Sequence, residues 1–103
     1  LSYGFSVAGE ATNGGQAVEM FEQVRPDLVV VDARMPDMDG VTAIREIRLR
    51  DPGALMVVSA GSGEKSSVVE ALSAGASDFI VKPYVPRRVV EVLRRVLAGI
   101  APR

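Results

Sequence analysis

The chain has 103 residues and a net charge of −1, and 48% of its residues are hydrophobic. That length suits one small domain over residues 1–103, and the near-neutral charge gives no general pull toward nucleic acid or a membrane surface. Cysteine and histidine are both absent, which excludes disulfides, thiol catalysis, thiolate or imidazole metal sites and any phosphohistidine step within the chain. No apolar stretch has the length of a membrane span. Residues 1–7 have neither the basic start nor the apolar core of a signal peptide, so a cytoplasmic protein is the expectation.

A short strand is expected over 5–10. Thr12-Asn13-Gly14-Gly15 is a turn with capping residues, and a helix follows over 16–24 with Ala17, Val18, Phe21 and Val24 on one side. Pro26 stops it. Asp27-Leu28-Val29-Val30-Val31 reads as a strand ending at Asp32. Met35-Pro36-Asp37-Met38-Asp39-Gly40 is a loop in which Asp39 caps the next helix, whose Val41, Ile44, Ile47 and Leu49 recur at helical spacing. Asp51-Pro52-Gly53 turns the chain into Ala54-Leu55-Met56-Val57-Val58, a strand ending at Ser59. A helix is expected over 64–74 after Gly61-Ser62-Gly63, with Gly75 in a left-handed position past its end. Asp78-Phe79-Ile80-Val81 is a strand ending at Lys82, and Pro83 follows. Pro86 sits in the first turn of a last helix carrying Val89, Val90, Val92, Leu93, Val96 and Leu97. The three runs are short, β-branched and apolar on both faces, which suits strands buried inside a parallel sheet. Single helices between them imply right-handed crossovers and a doubly wound α/β fold.

Chemistry in open parallel sheets collects beyond the carboxyl ends of the strands. A carboxylate (Asp32), a hydroxyl (Ser59) and an ammonium (Lys82) are therefore expected on one rim. Taken singly, Asp32 is equally a helix cap, Ser59 a turn hydroxyl and Lys82 a surface lysine. Taken together, they suit a carboxylate that accepts a phosphoryl group. The carboxylate is the nucleophile, and the ammonium and hydroxyl hold the phosphoryl oxygens where charge spreads. A divalent cation would bridge carboxylate and phosphoryl group. Asp37 and Asp39, close by in sequence, serve the loop and the helix cap. Ala60-Gly61-Ser62-Gly63-Glu64-Lys65-Ser66-Ser67 follows a strand and opens a helix, but it fails the spacing of a nucleotide-binding loop, and Glu64 would repel phosphate.

The stretch Val31-Asp32-Ala33-Arg34-Met35-Pro36-Asp37-Met38-Asp39-Gly40 resembles the phosphoacceptor loop of two-component response-regulator receiver domains. The spacing to Val58-Ser59-Ala60 and to Phe79-Ile80-Val81-Lys82-Pro83 fits, as does Glu10-Ala11-Thr12-Asn13-Gly14. The resemblance covers essentially the whole chain. Lys82-Pro83-Tyr84-Val85-Pro86-Arg87-Arg88-Val89-Val90-Glu91 is most similar to stand-alone chemotaxis-type regulators. The resemblance implies a flavodoxin-like receiver fold in which Asp32 takes a phosphoryl group from a histidine kinase. Ser59 would be the switch hydroxyl, Lys82 the lysine on the phosphoryl group and Lys82-Pro83 a cis bond. Phe79 would be the aromatic that moves between outward and inward rotamers, and Ala60 the small residue beside the switch hydroxyl. Mg²⁺ would lie on Asp32 and the Arg34 backbone carbonyl. The Arg34 side chain and the backbone near Gly61 would lie where dephosphorylation is tuned. Output to a downstream protein target would run through the last two helices and the Phe79 strand. The chain would catalyse its own phosphotransfer and dephosphorylation and turn over no separate substrate.

One departure stands out. The family begins with a strand ending in an acidic pair that holds Mg²⁺, and no such segment is present here. Leu1-Ser2-Tyr3-Gly4 resembles the end of the first helix. The expected fold therefore lacks its first strand and most of its first helix, with the main metal carboxylates. The strand order 2-1-3-4-5 puts the missing strand between two others. The rest of a longer protein, a second chain or a rearranged pairing would fill the gap, unless the chain is a truncation. The alternative function is a truncated or degenerate receiver acting as a phosphorylation-independent interaction module.

Overall fold

A computed structural model describes residues 13–34 and 40–99. The strand expected over 5–10 and the Asp39 cap lie outside the described residues. Asn13 adopts an extended backbone, and its side chain accepts the Gln16 N–H at 2.8 Å, which opens α1 (Gly14–Val24). The helix buries Gly14, Val18 and Phe21 and closes at Arg25, whose N–H donates to the Phe21 carbonyl. Val24, on the helix's last residue, lies past the packed stripe and is exposed.

β1 (Val29–Asp32), β2 (Met56–Ala60) and β3 (Asp78–Val81) form a parallel sheet in the order β1-β2-β3. α2 (Gly40–Arg50) joins β1 to β2, α3 (Lys65–Ala74) joins β2 to β3, and α4 (Pro86–Leu97) follows β3. Side chains of a strand alternate between faces, and β2 divides its residues accordingly. Met56, Val58 and Ala60 enter one core with Val18, Phe21, Ile44 and Ile47, which α1 and α2 supply. Val57 enters a second core on the other face with Ile80, Leu93 and Val96. Helices thus cover both faces, as a doubly wound sheet requires.

Several expectations are corrected. Among the described strands only β2 is buried at every residue. Val30 of β1 and Val81 of β3 are half exposed, because each flanking strand has one sheet neighbour among the described residues and incomplete helix cover. β2 also runs one residue past Ser59, so that serine lies inside the strand. Leu49 is 73% exposed: it stands two residues, or about 200°, around the helix from the buried Ile47. Leu97 is exposed for lack of a neighbour at the end of α4, while Leu93 and Val96 carry its packing. Gly75 closes α3 at φ 129°, a backbone that side chains rarely adopt, and donates to the Ala71 carbonyl. At the start of β3, the buried Asp78 accepts two bonds from the Arg95 guanidinium, at 2.6 and 3.1 Å, tying the strand to α4.

Candidate functional site

Three strand ends position the site. Asp32 is the last residue of β1, and Ser59 stands opposite it in register on β2. Sheet hydrogen bonding continues one residue further at each side: the Ala33 N–H donates to the Ser59 carbonyl and the Lys82 N–H to the Ala60 carbonyl, both at 2.8 Å. The backbone around all three residues is therefore fixed by the sheet itself. The Lys82-Pro83 bond is cis.

Asp32 and Lys82 meet across the middle strand. The ammonium donates to Asp32 Oδ2 at 2.6 Å, and the Arg34 N–H donates to Oδ1 at 3.1 Å. Both charged side chains keep more than a third of their surface in solvent, so the pair is ordered and still reachable. The hydrogen bond to Asp32 holds the Lys82 pKa above its ordinary value, with partial burial working the other way. The start of α2 presses on the same spot. A Cβ at Gly40 would clash with the Asp32 carbonyl oxygen and sit 2.9 Å from Ala33 Cα, so only glycine lets the helix begin there.

Ser59 does not join this pair. Its side chain is buried, and its hydroxyl lies 2.6 Å from the phenol oxygen of Tyr84. The rim trio read from the sequence thus resolves into a carboxylate–ammonium pair and a hydroxyl–hydroxyl pair. No role was assigned to Tyr84 in the sequence. Its one signal was a polar-tipped aromatic two residues after Lys82, and only the path of the chain after β3 brings it onto Ser59.

Glu64 was also missed as a site residue. It stands before the first turn of α3, and its Oε1 accepts the Gly61 N–H at 2.7 Å. Its Oε2 faces Arg34 Nε at 3.2 Å, an ion pair without hydrogen-bond alignment. The otherwise exposed Arg34 side chain is thereby tethered beside Asp32. Phe79 is partly buried and packs against the core of α1 and α2. It also borders a groove of about 500 Å³ between β3 and α4.

The sequence matches the response regulator receiver domain family over residues 2–94. The chain belongs to this family. A receiver domain is the phosphoacceptor switch of two-component signalling. Chemotaxis protein CheY of Thermotoga maritima is 52% identical over 93 residues, covering 90% of this chain and 78% of that protein. Chemotaxis protein CheY of Bacillus subtilis is 47% identical over 94 residues, covering 91% and 78%. Among solved structures, the receiver domain of NtrX from Brucella abortus superposes with a TM-score of 0.87 at 28% identity, covering 94% of this chain and 82% of that one. The receiver domain of AraT, a response regulator from Geobacillus stearothermophilus, gives 0.86 at 34% identity, covering 95% and 76%. The expected flavodoxin-like receiver fold is thus the observed one. A protein-glutamate methylesterase/protein-glutamine glutaminase of Alkalilimnicola ehrlichii is 46% identical over 82 residues, but the match spans only 21% of that enzyme.

Proposed function

We propose that Asp32 is the phosphoacceptor of this receiver domain, loaded by a histidine kinase, with Lys82 as the cation on the phosphoryl group and Ser59 as the switch hydroxyl. The 2.6 Å Asp32–Lys82 pair at the carboxyl end of the sheet carries this reading. An Asp32 oxygen would form the new P–O bond as the donor's P–N bond breaks, and the electron pair would leave with the donor imidazole, which takes a proton. The Lys82 ammonium is already in place, so it meets the charge developing on the phosphoryl oxygens without reorganising. In dephosphorylation, water would attack phosphorus, the P–O bond to Asp32 would break with its electron pair returning to the carboxylate, and inorganic phosphate would leave. Arg34, Glu64 and the Gly61 backbone, linked to one another beside Asp32, would influence that water's approach. No separate substrate is turned over.

The Asp32 carboxylate and the Arg34 carbonyl would hold Mg²⁺. Both are hard oxygen donors, and they suit a cation that uses one or two protein carboxylates and retains several waters. When bound, Mg²⁺ would supply further positive charge to the phosphoryl oxygens. Among the described residues no group of three or more acidic side chains gathers to hold it. Output would pass through α3, β3 and α4 to a downstream protein. The groove beside Phe79, Val81, Val85 and Val92, with Arg88 and Arg95 on its lining, suits a protein partner. Among the described residues no helix is long and apolar enough to cross a membrane, and a cytoplasmic site of action completes the reading.

Intact mass tests it, before and after Mg²⁺ and acetyl phosphate. A gain of one phosphoryl group that vanishes in Asp32→Asn is the expected result. Uptake at an unchanged rate in Asp32→Asn overturns the assignment, and no uptake by the native chain favours the phosphorylation-independent module instead.

A further inference from the structure

We infer that Tyr84 is the resting partner of the switch hydroxyl: it holds Ser59 off Asp32, and phosphoryl transfer to Asp32 releases it. This rests on the acceptor reading above.

The Ser59 side chain is almost wholly buried, and a buried hydroxyl needs a hydrogen-bond partner. Tyr84 supplies one at 2.6 Å. Either hydroxyl can be the donor in this pair, and either way the bond holds the Ser59 oxygen toward Tyr84. The register places Ser59 beside Asp32, on neighbouring strands about 4.8 Å apart. A phosphoryl group built on Asp32 therefore comes within reach of that hydroxyl after a turn about χ1. Hydrogen bonds to a charged acceptor are roughly twice as strong as neutral ones. The phosphoryl oxygen thus outcompetes the phenol for the Ser59 hydroxyl.

Release is easy on the other side. Tyr84 is 54% exposed, so water can take up its hydroxyl once Ser59 has turned away. Its chain neighbours Pro83 and Val85 both line the groove of β3 and α4, and Val85 is itself half exposed. The state of a buried serine is in this way passed to a surface side chain beside the proposed output groove. Tyr84 touches none of the reacting atoms; it is a positioning residue acting through Ser59.

The test follows the rate of phosphoryl uptake from acetyl phosphate with Mg²⁺ by intact mass, on the full chain. It compares the native protein with Tyr84→Phe, each also in the Ser59→Ala and Ser59→Thr backgrounds. Tyr84→Phe removes the bond that favours the resting arrangement, so uptake should rise about fivefold, the scale of one neutral hydrogen bond. The same substitution in the Ser59→Ala background should change nothing, whereas in Ser59→Thr, which retains a hydroxyl, the rise should return. A merely structural Tyr84 would lower the melting temperature of both backgrounds alike and leave the uptake ratio flat. Native uptake with no rise in Tyr84→Phe, or an equal rise without the Ser59 hydroxyl, overturns the proposal alone. No uptake by the native chain overturns the acceptor reading and the proposal with it.

Discussion

The Asp32 carboxylate is held at 2.6 Å by the Lys82 ammonium and at 3.1 Å by the Arg34 N–H, yet it stays open to solvent. Replacing Lys82 by Met keeps most of the stem and removes the charge. Losing one preorganised donor on a developing oxyanion typically slows a reaction by about 10²–10³, so uptake by Lys82→Met should fall on that scale in a mass time course. The pair has a pH signature as well. The Lys82 pKa is raised above its ordinary 10.5, chiefly by the bond to Asp32. A raised lysine pKa contributes stability that is complete below the unfolded value and lost as pH climbs through the higher folded one. The stability advantage of the native chain over Lys82→Met in thermal melts should therefore hold through neutral and mildly alkaline pH. It should fade only above the ordinary lysine range; fading near neutrality would contradict it. Glu64→Gln keeps an acceptor for Gly61 and drops the ion pair with Arg34. The pair is exposed at Arg34 and buried at the Glu64 oxygen. The freed guanidinium can then screen the phosphoryl group from water, and the adduct should persist about two- to fivefold longer, read from its decay after the donor is removed.

At the scale of the element, the acceptor depends on a helix that starts against it. Gly40→Ala would drive a Cβ into the Asp32 carbonyl, a backbone atom that cannot swing away. Overpacking of this kind costs about 1–3 kcal/mol or more, so the urea midpoint should drop and uptake should fall with it. Arg95→Leu would leave the Asp78 carboxylate buried without its partner. A comparable orphaned charge costs about 3–5 kcal/mol, which a urea titration resolves easily. The elements themselves were legible in the sequence. Asn13, Pro26, Gly75 and Pro86 punctuate the helices through local backbone chemistry, and the three valine- and isoleucine-rich runs became the three strands. Exposure was less legible. Val30 and Val81 look as buried as Val57, because composition cannot say which strand has neighbours on both sides. The Asp32–Lys82 meeting followed from strand-end logic. The Tyr84–Ser59 and Glu64–Arg34 contacts did not, since each depends on how a loop returns over the rim rather than on any periodic pattern.

At the scale of the molecule, β2 contributes to both cores, one on each face of the sheet. A cation that binds only the folded chain raises its stability, by about 2.7 kcal/mol at a hundred times its dissociation constant. Mg²⁺ should therefore raise the melting temperature of the native chain. EDTA should reverse the shift, and Asp32→Asn should lose most of it; an equal shift in that variant would place the cation elsewhere. The middle strand has a further consequence for time. Ser59 has sheet partners on both sides, so the backbone cannot store its position, and one torsion is left to move. Side-chain rotations take nanoseconds, and even helix displacements take only micro- to milliseconds. Nothing in such a device outlasts the phosphoryl bond. The molecule would have no memory of its own: the duration of its message would be the lifetime of a single P–O bond, and the protein would forget as soon as that bond breaks.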